Sequence, residues 1–322
     1  MSIRQNYRHT IFASYIGYIV QAIVNNLAPL LFLTFQRQYD ISIGKIGLLT
    51  TINFGVQLLV DMLSARYADR IGYRAAIMAA HFFAAAGLIG MGTLPDMLPD
   101  AFVGLVLAIC LYAVGGGLIE VLISPIVEAC PTEDKSGNMS LLHSFYCWGQ
   151  VGVVLLSTVF FQVAGIENWK ILAVIWAVVP ILNFFYFSRV PINRLVEDGQ
   201  AMPVKKMLGM KIFWIFVLMM VCAGASEQAM SQWASAFAEL GLNVNKTVGD
   251  LLGPCMFAVL MGCSRVFYGK FSDRINLVGF ISGSAVLCVI SYLLAVFSPV
   301  PVLSLAGCAL TGLAVGIMWP GT

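Results

Sequence analysis

Hydrophobic positions in this chain fall into long unbroken runs, not into short alternations of apolar and polar. Ten runs stand out, over about residues 10–36, 44–65, 75–94, 101–127, 140–164, 169–189, 211–239, 249–268, 277–297 and 301–320. Each approaches or exceeds the ~20 residues that a helix needs to cross a bilayer. Strands of a membrane barrel alternate apolar with polar and are about half that length. The pattern therefore predicts an all-α membrane protein with about ten transmembrane helices. Composition agrees: 60% of residues are hydrophobic and 11% charged, against roughly 25% charged in soluble domains. Disordered chains are charge-rich and apolar-poor, so that class is excluded too.

The lysines and arginines set an orientation. With the N-terminus in the cytoplasm, fourteen of the 18 lie on the inner side, and only Arg37, Lys45, Lys170 and Lys246 lie outside. The expectation is a multi-pass protein of the plasma (inner) membrane with a cytoplasmic N-terminus. A net charge of +2 offers no patch for nucleic acid. The eight cysteines are scattered through apolar runs without a CxxC pair, so no metal site or disulfide framework is expected. The longest polar connection, near 190–210, carries Pro191 and Pro203 among acids and bases. It divides the chain into an N-terminal half over 1–190, a cytoplasmic linker over 191–210 and a C-terminal half over 211–322.

Two short loops repeat. After the second span comes Ala65-Arg-Tyr-Ala-Asp69-Arg70-Ile-Gly72-Tyr-Arg74, and after the eighth comes Gly269-Lys-Phe-Ser-Asp273-Arg274-Ile-Asn276. The aspartates are 204 residues apart, and each loop follows the second span of its half. That is the signature of duplicated halves. In these residues the chain resembles the major facilitator superfamily, whose Gly-x-x-x-Asp-Arg-x-Gly-Arg-Lys pattern joins helices 2 and 3, with a weaker copy between helices 8 and 9. Ala65 replaces the first glycine, and Asn276 replaces the later glycine of the second copy. The resemblance implies a helical bundle of two pseudo-symmetric halves, with ten of an expected twelve helices present: six in the first half and four of six in the second. The chain thus reads as a shortened form. The resemblance also implies a monomer and a gating latch made of Asp69, Arg70, Gly72, Arg74, Arg265, Gly269, Asp273 and Arg274. Gly72 would end a helix or supply a positive-φ turn. Asp61, at the cytoplasmic end of span 2, is expected to pair with the latch arginines.

A narrower resemblance lies in span 4. The stretch Gly115-Gly116-Gly117-Leu118-Ile119-Glu120, continuing to Ser124-Pro125, is similar to one in the fucose permease and related sugar–proton symporters. Asn25-Asn26-Leu-Ala-Pro29 in span 1 is similar to a second stretch of that group, which tends to carry an aspartate where Asn25 or Asn26 stands here.

Polar residues at membrane depth are costly and mark solute or ion paths. At helical spacing, span 1 lines up Ser14, Tyr18, Gln21 and Asn25. Span 2 lines up Asn53, Gln57 and Asp61. Span 4 lines up Gly117, Glu120, Ser124 and Glu128. Span 5 lines up His143, Tyr146, Gln150 and Ser157. Span 7 lines up Gln228, Gln232, Ser235 and Glu239, beside Glu227 and Trp233. Glu120, in the middle of an apolar run, is the leading candidate for coupling. Gln21, Asn25, Gln150, Gln228 and Gln232 could hydrogen-bond a polyol, Tyr146 and Trp233 could stack on a sugar face, and Glu227 is a second acid for binding or coupling. A structural use competes at each position, as an interhelical hydrogen bond or an interface aromatic.

Together these features predict a secondary transporter for a small solute, such as a sugar or polyol, working by alternating access and coupled to H+ or Na+. The alternatives are a proton-coupled drug or metabolite efflux antiporter, and a non-transporting sensor or scaffold on the same fold. No cofactor is expected beyond the coupling ion. HExxH and GxSxG motifs are absent, so an enzyme is not expected.

Overall fold

The computed structural model describes residues 3–132, 135–193, 204–271 and 274–321, with side chains described except at 65–70, 135–137, 140, 204, 205 and 320. These residues form helices α1 (Tyr7–Asn26), α2 (Phe32–Tyr39), α3 (Ile43–Ile71), α4 (Tyr73–Met97), α5 (Ala101–Glu128), α6 (Lys135–Ala164), α7 (Trp169–Phe187), α8 (Val204–Leu208), α9 (Lys211–Gly241), α10 (Lys246–Asp250), α11 (Met256–Phe271), α12 (Leu277–Phe297), α13 (Pro301–Val315) and α14 (Met318–Gly321). Among the described residues nine spans are long and apolar enough to cross a membrane, and α13 is a shorter apolar helix. The chain divides into two compact units, Met1–Leu195 and Val196–Thr322.

Three expected spans are broken, each for a local reason. The first run becomes α1, a 3-10 turn over Ala28–Leu31 and α2, because Pro29 has no N–H to continue the helix ladder. The eighth opens with α10 and passes through a π-helical turn over Leu251–Cys255 that contains Pro254 before α11. The tenth stops at Val315 and resumes as α14 after a turn at Gly316 and Ile317. Helix starts are capped by short polar side chains: Asp100 accepts from the Phe102 amide at 2.8 Å and Asn245 from the Val248 amide at 2.9 Å, as expected for orphan N-terminal donors.

In unit 1, α1 is the most deeply buried span and packs against α5, α6 and α7, while α4 lies between α5 and α7 and α3 covers α5. At the end bearing Lys170, Asp96 receives the Tyr39 hydroxyl at 3.0 Å and the Lys170 ammonium at 2.5 Å, tying α2, α4 and α7 together. At the opposite end a strap over 188–193 is pinned by side chains. Thr10 donates to the Pro191 carbonyl at 2.6 Å, Tyr7 donates to Asn193, and Asn193 donates to the Ala129 carbonyl at 3.0 Å. In unit 2, α13 lies among α9, α11 and α12.

Candidate functional site

The polar stripes of α1, α3 and α5 meet inside unit 1. Gln57 on α3 is the hub. Its Nε2 donates to Asn25 Oδ1 at 2.9 Å and to Asn53 Oδ1 at 3.1 Å, which uses both of its hydrogens. Its Oε1 accepts from Gln21 Nε2 at 3.3 Å, and the same Nε2 lies 3.2 Å from Oε2 of Glu120. Gln21, Asn25, Asn53 and Gln57 are all buried. Gln21 Oε1 is buried without a hydrogen-bond partner among the described residues. In apolar surroundings such a network holds together because each amide that loses its partner is left desolvated.

The glycine run of α5 makes this approach possible. A Cβ at Gly115 would stand 2.5 Å from the Ala80 carbonyl oxygen on α4, one at Gly117 would stand 3.0 Å from the Gln57 carbonyl oxygen on α3, and one at Gly116 would stand 3.2 Å from Gln21 Oε1. Three consecutive residues thus face three neighbours, and Glu120 is carried one turn further on. There Tyr18 and Ser124 share a hydrogen bond at 2.9 Å, and the Tyr18 ring meets His143 of α6 edge-on at 5.4 Å.

The remaining stripes are less uniform. Tyr146 and Gln150 are buried on α6, but Ser157, on the same expected stripe, accepts from Trp176 Nε1 of α7 at 3.1 Å and joins helices. On α9, Gln232 is buried, Gln228 has its Oε1 buried without a partner among the described residues, and Trp233 is half-buried. Ser235 donates to Asp250, whose Oδ2 lies 3.0 Å from Lys246 Nζ. Asp250 is fully buried and was not among the sequence candidates, although an acid four residues after a lysine at a helix start is a readable pair. His81 stands outside the polar stripes of the sequence. It is fully buried, with Nδ1 2.7 Å from the Ile77 carbonyl and Nε2 2.8 Å from Asn183 Nδ2, and Asn183 also donates to the Ala13 carbonyl at 3.0 Å. It ties α4, α7 and α1 together.

The latch residues fall differently from the expectation. Arg265, expected with the second loop, lies inside unit 2, with Nη2 3.3 Å from Glu227 Oε2 and Nε donating to the Gly316 carbonyl at 3.1 Å. Arg74 donates to the Phe187 and Val190 carbonyls, each at 2.8 Å. It therefore caps the C-terminal end of α7, where a cation is favoured, and is not the partner of Asp61. Asp61 is half-buried, and its Oδ1 has no hydrogen-bond partner among the described residues. Gly72 adopts φ 87° between α3 and α4. Gly269 and Arg274 are exposed. The side chains of Asp69 and Arg70, and the whole of Asp273, lie outside the described residues.

A family model described as Major Facilitator Superfamily matches residues 12–322. The chain belongs to this superfamily of transporters. Its fold is similar to the crystal structure of a D-xylose–proton symporter, with TM-score 0.72 and 12% identity, over 98% of this chain and 80% of that one. It is likewise similar to a transporter of the superfamily called FucP in the outward conformation, with TM-score 0.71 and 14% identity, over 97% and 82%. A third likeness is to the xylose transporter XylE of Escherichia coli in a partially occluded inward-open conformation, with TM-score 0.71 and 11% identity, over 98% and 85%. No curated protein matches the chain by sequence.

Proposed function

We propose that this superfamily member is a secondary transporter for a small polar solute of the sugar or polyol kind, coupled to protons through Glu120. The observation that carries this reading is the amide network meeting a carboxyl within the membrane-spanning helices of unit 1. Gln21, Asn25, Asn53 and Gln57 offer donors and acceptors of the kind that hydroxyl-rich solutes need. Glu120 sits beside them in an otherwise apolar run, where an ionisable group is costly and marks an ion path. The folds of a D-xylose–proton symporter and of a xylose transporter, to which this chain is similar, give the same direction. The lysine and arginine bias supports a cytoplasmic N-terminus.

The test is proton uptake into liposomes that contain the full-length protein, on addition of pentoses, hexoses and polyols in neutral and acidic forms, compared with Glu120→Gln. A solute-dependent proton signal that Glu120→Gln abolishes, with solute counterflow retained, supports the reading. A folded protein that moves protons with none of them overturns it and points to sodium coupling or efflux.

A further inference from the structure

Unit 2 holds a cavity of about 560 Å³ bounded by α11, α12 and α13, a size within the range of small-molecule sites. Its walls are apolar: Phe267 on α11, Phe280 and Leu287 on α12, and Leu313 on α13. The Phe280 ring is held in place, stacked on Tyr268 at 5.6 Å and tilted against Phe267 at 6.3 Å. The cavity follows α12 from Gly279 to Leu287, about 12 Å of helix. Two features distinguish it from an ordinary gap between helices. The first is its glycines. On α13 the glycines are pressed against neighbours: a Cβ at Gly307 would stand 2.6 Å from the Ala295 nitrogen, and one at Gly316 would stand 2.6 Å from the Ser264 Cβ. Gly279 and Gly283, one turn apart on the cavity wall, are different. A Cβ at Gly283 would meet no described atom within 4 Å, and one at Gly279 would meet only the Asn276 side chain, at 3.6 Å. Glycine weakens a helix relative to alanine, and no neighbour requires it at these two places. What the pair supplies is a flat strip of wall. The second feature is Ser264. It lines the cavity and is 2% exposed, and its Oγ has no hydrogen-bond partner among the described residues. A buried hydroxyl in that condition is costly.

We propose that this cavity binds a ring-bearing membrane lipid, flat and apolar except for one hydroxyl or carbonyl oxygen. The oxygen hydrogen-bonds Ser264, and the ring plane lies on the strip at Gly279 and Gly283. A serine hydroxyl both donates and accepts, so it serves an alcohol or a ketone. No charged residue lines the cavity, which disfavours a phospholipid headgroup, whose phosphate would enter without a counter-charge. An unbranched acyl chain brings no partner for the hydroxyl and needs no flat wall. The cavity lies along α11 and α12, which belong to spans long enough to cross the membrane, so the ligand reaches it from the bilayer. Sterols and prenylated quinones share this chemistry, a planar ring with one oxygen at its edge.

The full-length protein in nanodiscs is exposed to three diazirine probes: a sterol, a prenylated benzoquinone and an unbranched fatty alcohol. Labelled residues are mapped by mass spectrometry, with the unlabelled lipid as competitor. The expected result is saturable labelling between residues 263 and 287 by a ring probe. Capture of the sterol or of the quinone supports the inference and names the source. Gly283→Leu fills the strip and should abolish the labelling while melting close to the parent. Ser264→Ala should weaken competition by about tenfold without lowering the melting temperature measured without probe, because it removes an unbonded hydroxyl. Labelling by the fatty alcohol equal to that by the ring probes shows ordinary bilayer contact and overturns the inference. So does labelling that Gly283→Leu leaves unchanged. Unchanged competition in Ser264→Ala overturns the polar contact. Cross-linking of Cys263 between two copies, with labelling lost, shows that a second copy covers this face and overturns the lipid assignment.

Discussion

Glu120 in unit 1 is met by an amide, and Glu227 in unit 2 is met by a guanidinium. The two partners respond differently to a proton. A glutamine carries both donor and acceptor on one rotatable group, so by turning over it serves a carboxylate or a carboxylic acid. Gln21 has the spare acceptor for this, since its Oε1 is buried and without a partner among the described residues. A guanidinium has five donors and no acceptor, so it can donate to the carboxyl but cannot take the proton of a neutral acid. The first acid would find an acceptor for an added proton on its neighbour, whereas the second would not. A pair of acids that look alike as isolated residues in apolar runs thus divide into one met by a neutral amide and one met by a cation.

Four substitutions sharpen this contrast. The largest effect is expected from Arg265→Gln, which leaves Glu227 buried without its counter-charge and should destabilise the protein by about 3–5 kcal/mol. Thermal unfolding in detergent reads it, and adding Glu227→Gln should restore most of the loss. If the single and double variants melt alike, the pair is not an ionic one. Gly115→Ala comes next. Its Cβ meets backbone of α4 at 2.5 Å, and separating the two helices should cost about 1–3 kcal/mol, visible as a lowered melting temperature and a disturbed approach of α5 to Gln21. Gln57→Leu removes the hub of the amide network and takes a donor from each of Asn25 and Asn53. The expected loss is about 1–2 kcal/mol, at the upper end of measured membrane hydrogen bonds. An unchanged melting temperature with unchanged solute affinity would separate the network from function. Smallest in stability is Glu120→Gln, expected within about 1 kcal/mol because Gln21 keeps an oxygen to donate to. Its effect belongs to proton coupling instead.

Periodicity made half of this contrast legible in the sequence. Gln21, Asn25, Asn53, Gln57 and Glu120 lie on stripes that any helical wheel displays, and the run over 277–297 coincides with α12 as observed. The other half was hidden because it depends on register between helices. Arg265 reads as a loop-side cation from its place near Gly269, and only the packing of α11 against α13 turns it toward Glu227. Asp250 reads as a residue just inside an apolar run, and its burial depends on Ser235 reaching it from α9. Breaks within spans were not legible: Pro29 and Pro254 interrupt their helices while Pro95, Pro125 and Pro180 lie inside continuous ones, and at Gly316 close packing of α13 on α11 accompanies the interruption.

The duplicated loops have parted company in their backbone. Gly72 turns the first corner with φ 87°, a conformation that suits a residue without Cβ. Asn276, at the matching place, has φ −69° and caps α12 by accepting from the Gly279 amide. Two residues further on, Arg74 closes α7, while the matching residue in the second copy is Val278, an exposed apolar side chain. Descent from one repeated unit has therefore left two corners that are no longer interchangeable parts. One relies on a backbone angle and a distant arginine, the other on a single side-chain cap, and a graft of either sequence onto the other's position would arrive without the contacts that make it turn.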